Sequence, residues 1–219
     1  MGMSKMDNLK CWPLNANATG GDKGFVERKT AIDARGGDTM QAPKQAQIAG
    51  GSTAWSGELP RKGQLLRDFE LNSLRGPVVR LADYRGRSAL ILILRDERIE
   101  TERLMRDMAA RCDDLRNKGS EVLAIIHSPS AKAVSFERRL NLPYPVLQDA
   151  DGRLHHELGA MDDQNRDAAA LYVADPFGEI VAIFRTAVGD KLPGIGEIEQ
   201  LLEFISFQCP ECEPPEWPV

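Results

Sequence analysis

The stretch Ala89-Leu90-Ile91-Leu92-Ile93-Leu94-Arg95-Asp96-Glu97-Arg98-Ile99-Glu100-Thr101 decides how the rest of the chain is read. Its first half is an unbroken apolar run, the pattern of a strand buried on both faces of a sheet. Its second half opens a helix. At such a strand-to-helix junction the first helical turn presents free backbone N–H groups and the positive end of the helix dipole, a usual place for chemistry in α/β proteins. The junction here offers arginines and carboxylates, and no cysteine, histidine or serine.

Working outward, a helix is expected from this junction to about Lys118. Its apolar residues Leu104, Met105, Met108, Cys112 and Leu115 fall three and four apart, and Gly119 stops it. Glu121 to His127 reads as the next buried strand. Ser128-Pro129 is expected to supply an N-cap and a first-turn proline for a helix through Leu140. The prolines of Asn141-Leu142-Pro143-Tyr144-Pro145-Val146-Leu147 forbid a helix there. A turn at Asp149–Gly152 leads into a short helix ending near Gly159. The strands Ala168–Ala174 and Glu179–Arg185 flank Asp175-Pro176-Phe177-Gly178, whose turn chemistry makes an antiparallel hairpin. A last helix from about Pro193 carries Ile195, Ile198, Leu201, Leu202 and Ile205 on one face. Upstream, Leu66 to Leu71 and Val78 to Leu81 read as short β pieces.

Three segments follow: an extended, low-complexity arm at 1–60, an α/β domain at 61–207, and a proline-rich tail at 208–219. The arm has glycine pairs at Gly20-Gly21, Gly36-Gly37 and Gly50-Gly51, yet it also carries Cys11, Trp12 and Trp55, more anchors than a plain linker needs. It is therefore read either as a free tail or as an arm that lies along a partner.

With 219 residues and 42% hydrophobic content the chain can bury one good core. A net charge of -5 and a pI near 5.4 leave no basic face for nucleic acid. No apolar run is long enough to span a bilayer. Four scattered cysteines, with no secretory leader at the N-terminus, make the cytoplasm the expected compartment.

The order β, α, β, α, then a hairpin and a closing helix is the thioredoxin arrangement, and the sequence resembles the peroxiredoxins of the alkyl hydroperoxide reductase and thiol-specific antioxidant type. The matching residues are Asp68-Phe69-Glu70-Leu71, Leu81 to Arg87, Ala89 to Leu94, Gly119 to Ile125, Leu142 to Asp149, and Asp175 to Ile180. The resemblance covers about residues 63–207. It implies a thioredoxin-like fold with a central mixed sheet. It also implies a peroxidatic cysteine on the first helical turn after the first central strand, and here Ile99 or Glu100 stands at that place. The arginine or proline lead-in to the hairpin is replaced by Ala168-Ala169-Ala170. Because the reactive species is a thiolate, no peroxidase activity is expected.

Paired cysteines appear at Cys209 and Cys212, just past the last helix. The negative end of that helix, together with Glu211 and Glu213, raises a thiol above its ordinary value of about 8.5, which argues against a fast dithiol catalyst. Cys-Pro-x-Cys is also a compact knuckle that can supply half of a zinc or iron–sulfur site. Three readings stand together: a metal half-site completed across an interface, an inert pair or disulfide, and a thiol–disulfide oxidoreductase. Trp217 between prolines reads as a docking residue, with a protein partner or a second copy of the chain as the partner. Cys112 is expected in the core, His127 in a structural role, and His155 and His156 as a solvated pair.

Overall fold

The computed structural model describes residues 57–207. Seven strands, β1 (Glu70–Ser73), β2 (Val78–Arg80), β3 (Ala89–Arg95), β4 (Ser120–Ile126), β5 (Val146–Gln148), β6 (Ala170–Ala174) and β7 (Ile180–Arg185), form one sheet in the order β2-β1-β5-β4-β3-β6-β7. The central β3, β4 and β5 run parallel, and every other pairing is antiparallel. Five helices complete the domain: α1 (Ile99–Ala110), α2 (Cys112–Asn117), α3 (Ser130–Leu140), α4 (Arg153–Glu157) and α5 (Ile195–Ser206).

The alternation of side chains along a strand divides the core in two. Ala89, Ile91 and Ile93 join Val122, Ala124 and Ile126 against Met105, Met108, Phe136, Ile198 and Leu202 of the helices. Leu90, Leu92 and Leu94 face the other way, onto Leu66, Leu81, Leu154, Leu158 and Tyr172. The unbroken apolar run of β3 is thus explained by helices on one face and by α4 with the upstream loops on the other. Ile91, Leu92, Ile93 and Leu94 are completely buried, each worth about 1.5–3 kcal/mol of burial. Gly119 holds a φ of +72°, the left-handed stop expected there.

Two local expectations are corrected. The helix after β3 is two helices, because Arg111 leaves helical geometry at φ −110° and ψ 10° and its N–H turns back to the Met108 carbonyl. The short α2 then packs on β4, where the Ser120 hydroxyl donates to the Leu115 carbonyl at 2.6 Å. The second correction concerns Ser128, which caps nothing: Pro129 holds an extended ψ of 143°, so α3 begins at Ser130 without a side-chain cap. The domain also reaches back to Pro60, whose carbonyl accepts from Arg185 Nη2 at 2.5 Å. None of the described helices is long and apolar enough to cross a membrane.

Candidate functional site

The C-terminal ends of β3, β4 and β5 lie side by side, the edge of a parallel sheet where ligands usually bind. After Arg95 the chain turns at Asp96, which is 2% exposed. One Asp96 oxygen, Oδ1, accepts the Thr101 hydroxyl at 2.5 Å and the Arg98 N–H at 3.1 Å. Arg98 Nε lies 2.7 Å from Oδ2 as an ion pair without hydrogen-bond alignment, so that oxygen has charge compensation but no aligned donor. Arg98 Nη2 then donates to Thr186 Oγ1 at 3.2 Å. The Thr186 hydroxyl in turn donates to the Ala169 carbonyl at 3.0 Å and accepts the Ala169 N–H at 2.9 Å. This chain of contacts ties the α1 N-terminus to the β6–β7 hairpin.

Outside it opens a cleft of about 410 Å³, between the first turns of α1 and the segment from Thr186 to Gly194. Asp96, Glu100, Asp107 and Asp190 face Arg98, Arg103 and Lys191 across it. The two hydroxyls lining it, on Thr101 and Thr186, are both committed as donors. Ile99 stands at the start of α1 with 78% exposure. What this place offers is a mixed-charge surface held rigidly, without a thiol.

Cys112 is 6% exposed among the α1 and α2 core residues, as expected. Cys11, Trp12, Trp55, Cys209, Cys212 and Trp217 lie outside the described residues. Among the described residues no group of three His, Cys, Asp or Glu is placed to hold a metal.

At the next strand ends the histidines depart from the sequence reading. His156 is exposed, but His155 is fully buried and is no member of a solvated pair. Asp149 Oδ2 accepts both the backbone N–H and Nδ1–H of His155 at 2.8 Å; a carboxylate only accepts, so the ring proton sits on Nδ1. Burial pushes the Asp149 carboxyl up, and the hydrogen bonds and charge of His155 outweigh it, leaving the group below the ordinary carboxylate range. His127, following β4, is half-buried with Nδ1 2.7 Å from Asp167 Oδ1, and its ring centroid lies 5.7 Å from that of His155. These contacts lock α4 and the loop before β6 onto the sheet, the structural role expected of His127. A sequence signal for His155 existed: it lies beside Leu154 and three residues before Leu158, both buried in one core cluster.

A mixed sheet with this strand order, two parallel crossovers and a terminal hairpin defines a thioredoxin-like fold. The sequence matches the AhpC/TSA family over residues 63–183, more than half of the chain, and the protein belongs to that family. No curated protein matches the sequence. Among solved structures the fold is similar to Mycobacterium bovis AhpC, at 15% identity and a TM-score of 0.57, covering 71% of this chain and 99% of that one. It is also similar to a PrxQ variant from Xylella fastidiosa, at 17% identity and a TM-score of 0.56, covering 68% and 97%. A putative thiol:disulfide interchange protein DsbE from Chlorobium tepidum aligns at 20% identity with a TM-score of 0.55, covering 68% and 99%. At these identities the likeness concerns the fold.

Proposed function

We propose that this AhpC/TSA-family chain is an accessory or scaffold protein without peroxidase activity. It holds a protein partner, or a second copy of itself, through its arm (Cys11, Trp12, Trp55) and its tail (Cys209, Cys212, Trp217). The observation that carries this reading is the composition of the α1 N-terminus. Ile99 or Glu100 stands where the resemblance calls for an activated thiolate, the neighbouring buried carboxylate, Asp96, is committed to Thr101 and Arg98, and the one cysteine of the described domain is sealed in the core. A rigid surface at that point, in a chain whose sequence carries Trp12, Trp55 and Trp217 outside the domain, suits holding better than turnover. The Cys209–Cys212 pair supplies half of a zinc or iron–sulfur site that the partner completes, in line with its acidic surroundings and its spacing.

The test assays hydrogen peroxide and an organic hydroperoxide with excess dithiol, together with metal analysis of protein isolated with its natural partners. Negligible turnover, with stoichiometric zinc or iron lost in C209S/C212S along with assembly, supports the reading. Peroxide turnover abolished by C209S/C212S supports instead a thiol–disulfide oxidoreductase working through that pair.

A further inference from the structure

The same alternation that sorts the core places Arg95, next in odd parity after Ile93, on the helical face of the sheet. It stands there at the carboxyl end of β3, beside the end of β4. Its guanidinium carbon sits 4.1 Å from the centroid of the Phe136 ring on α3, and that of Arg139 lies 5.5 Å from the same ring. Arg139 is occupied: its two terminal nitrogens donate to the two oxygens of Glu102, each at 2.7 Å. Arg95 is not. Its Nε is buried without an acceptor, and no carboxylate among the described residues makes an ion pair with it.

A second cleft of about 430 Å³ opens at this point, separate from the one at the α1 N-terminus. Arg95, Lys132 and Arg139 line it with the hydroxyl-bearing Ser128 and Ser135, and Glu97 is its one carboxylate. The volume is that of a small-molecule site. Its apolar floor is the buried Ile126 and Phe136. A guanidinium stacked on an aromatic ring keeps its edge available for in-plane hydrogen bonds, the geometry that receives an oxyanion.

We propose that this cleft binds a small ligand through an oxyanion group, a phosphate or a carboxylate, with Arg95 as the principal donor and Lys132 as a second positive charge. The ligand's apolar portion would rest on Phe136 and Ile126. Burial draws the Arg95 guanidinium below its ordinary value, and the carboxylates of Glu97, Glu102 and Asp96 offset this only in part. An anion bound at the terminal nitrogens of Arg95 supplies the missing charge. The cleft shares no lining residue with the one outside Asp96, and the proposal does not rest on the reading of the tails.

The experiment uses the full ¹⁵N-labelled chain at neutral pH and constant ionic strength. Inorganic phosphate, acetate and phenyl phosphate are titrated in turn against a chloride reference. The signals followed are the Arg95 Nε–Hε resonance and the amides of Ala131 and Lys132. The expected result is a saturable shift of these signals, with affinity reduced at least tenfold in R95Q and several-fold in K132A. Arg98→Ala, in the other cleft, should leave it unchanged. A stronger response to phosphate than to acetate assigns the phosphate class, and the reverse assigns carboxylates. Tighter binding of phenyl phosphate than of phosphate supports the apolar floor. Shifts that never saturate, or that match those in chloride, overturn the proposal. So does an affinity unaltered in K132A, an exposed position whose substitution leaves the fold intact should R95Q fail to fold.

Discussion

Replacing Asp149 with alanine tests whether the strand ends are held by the buried carboxylate–imidazole pair. The substitution removes the acceptor of two 2.8 Å hydrogen bonds and leaves a fully buried His155 with neither nitrogen of its ring partnered. Breaking a buried charged pair from one side costs about 3–5 kcal/mol, because the remaining group stays desolvated. For a domain of this size each kcal/mol moves the midpoint by about 2–4 °C, so Asp149→Ala should lower Tm by roughly 6–20 °C. The sign of the pH dependence follows from the direction of the Asp149 shift. A carboxyl held below its unfolded value, about 3.9, contributes stability that is present above that value. This contribution is lost as pH falls through the lower folded value. Circular-dichroism melts of the two proteins should therefore differ fully at pH 7 and converge below about pH 4. Asp149→Leu with His155→Phe, which removes both polar partners, should recover part of the loss. A deficit under about 1 kcal/mol at pH 7, or one that stays constant down to pH 3, would refute the reasoning.

Glu102 bridges α1 to α3 through Arg139, whose hydrogen bonds, with help from Arg106, hold its carboxyl down at about 2. Glu102→Gln should cost about 1 kcal/mol in urea unfolding at neutral pH. The difference should fade between about pH 4.3 and pH 2, as the wild-type carboxylate is protonated. With Cys11, Cys209 and Cys212 changed to serine, the single thiol left, Cys112, should be labelled by a disulfide reagent no faster than the domain unfolds. Stoichiometric labelling of the native protein within minutes would contradict its place in the core. Gly152 has a φ of +70°, and a Cβ there would stand 2.8 Å from His127 Nε2 and Met161 Cε. Gly152→Ala should therefore destabilise by about 2–4 kcal/mol, against about 1–2 kcal/mol for Gly119→Ala, which has the same sign of φ but open space around it. Equal melting points for the two variants would exclude the steric part of this account.

The element order was legible because the signals were strong and local: the run from Ala89 to Leu94, the heptad-like spacing of Leu104 to Leu115, and the turn at Asp175-Pro176-Phe177-Gly178. The break at Arg111 was not, since neither glycine nor proline marks it and the apolar stripe runs on through Cys112. That the junction after Leu94 carries arginines and carboxylates could be read directly. The linking of Asp96, Thr101, Arg98 and Thr186 there could not, because Thr186 lies on a distant segment that only the folded sheet brings near. For His155 the reading failed for a related reason: polarity suggested solvent, while Asp149, six residues earlier, supplies the partner that makes burial affordable. Arg95 was one of several charges named at the junction, and its place over Phe136 on α3 emerges only in the folded sheet.

The order of the strands in space also bears on how the molecule assembles. β3 and β4 are joined through local helices, and β6 and β7 by a tight turn, whereas β1 meets β5 by pairing Asn72 with Gln148 and Ser73 with Leu147 across about half of the described domain. Closing so long a loop is entropically costly before it brings any reward, so the β1–β2 ribbon should dock last and detach first. In native-state hydrogen exchange, Leu71, Asn72 and Val79 should lose protection through an opening that leaves Ile91, Leu123 and Tyr172 intact. Simultaneous exchange of both groups would show that the sheet opens as one cooperative unit.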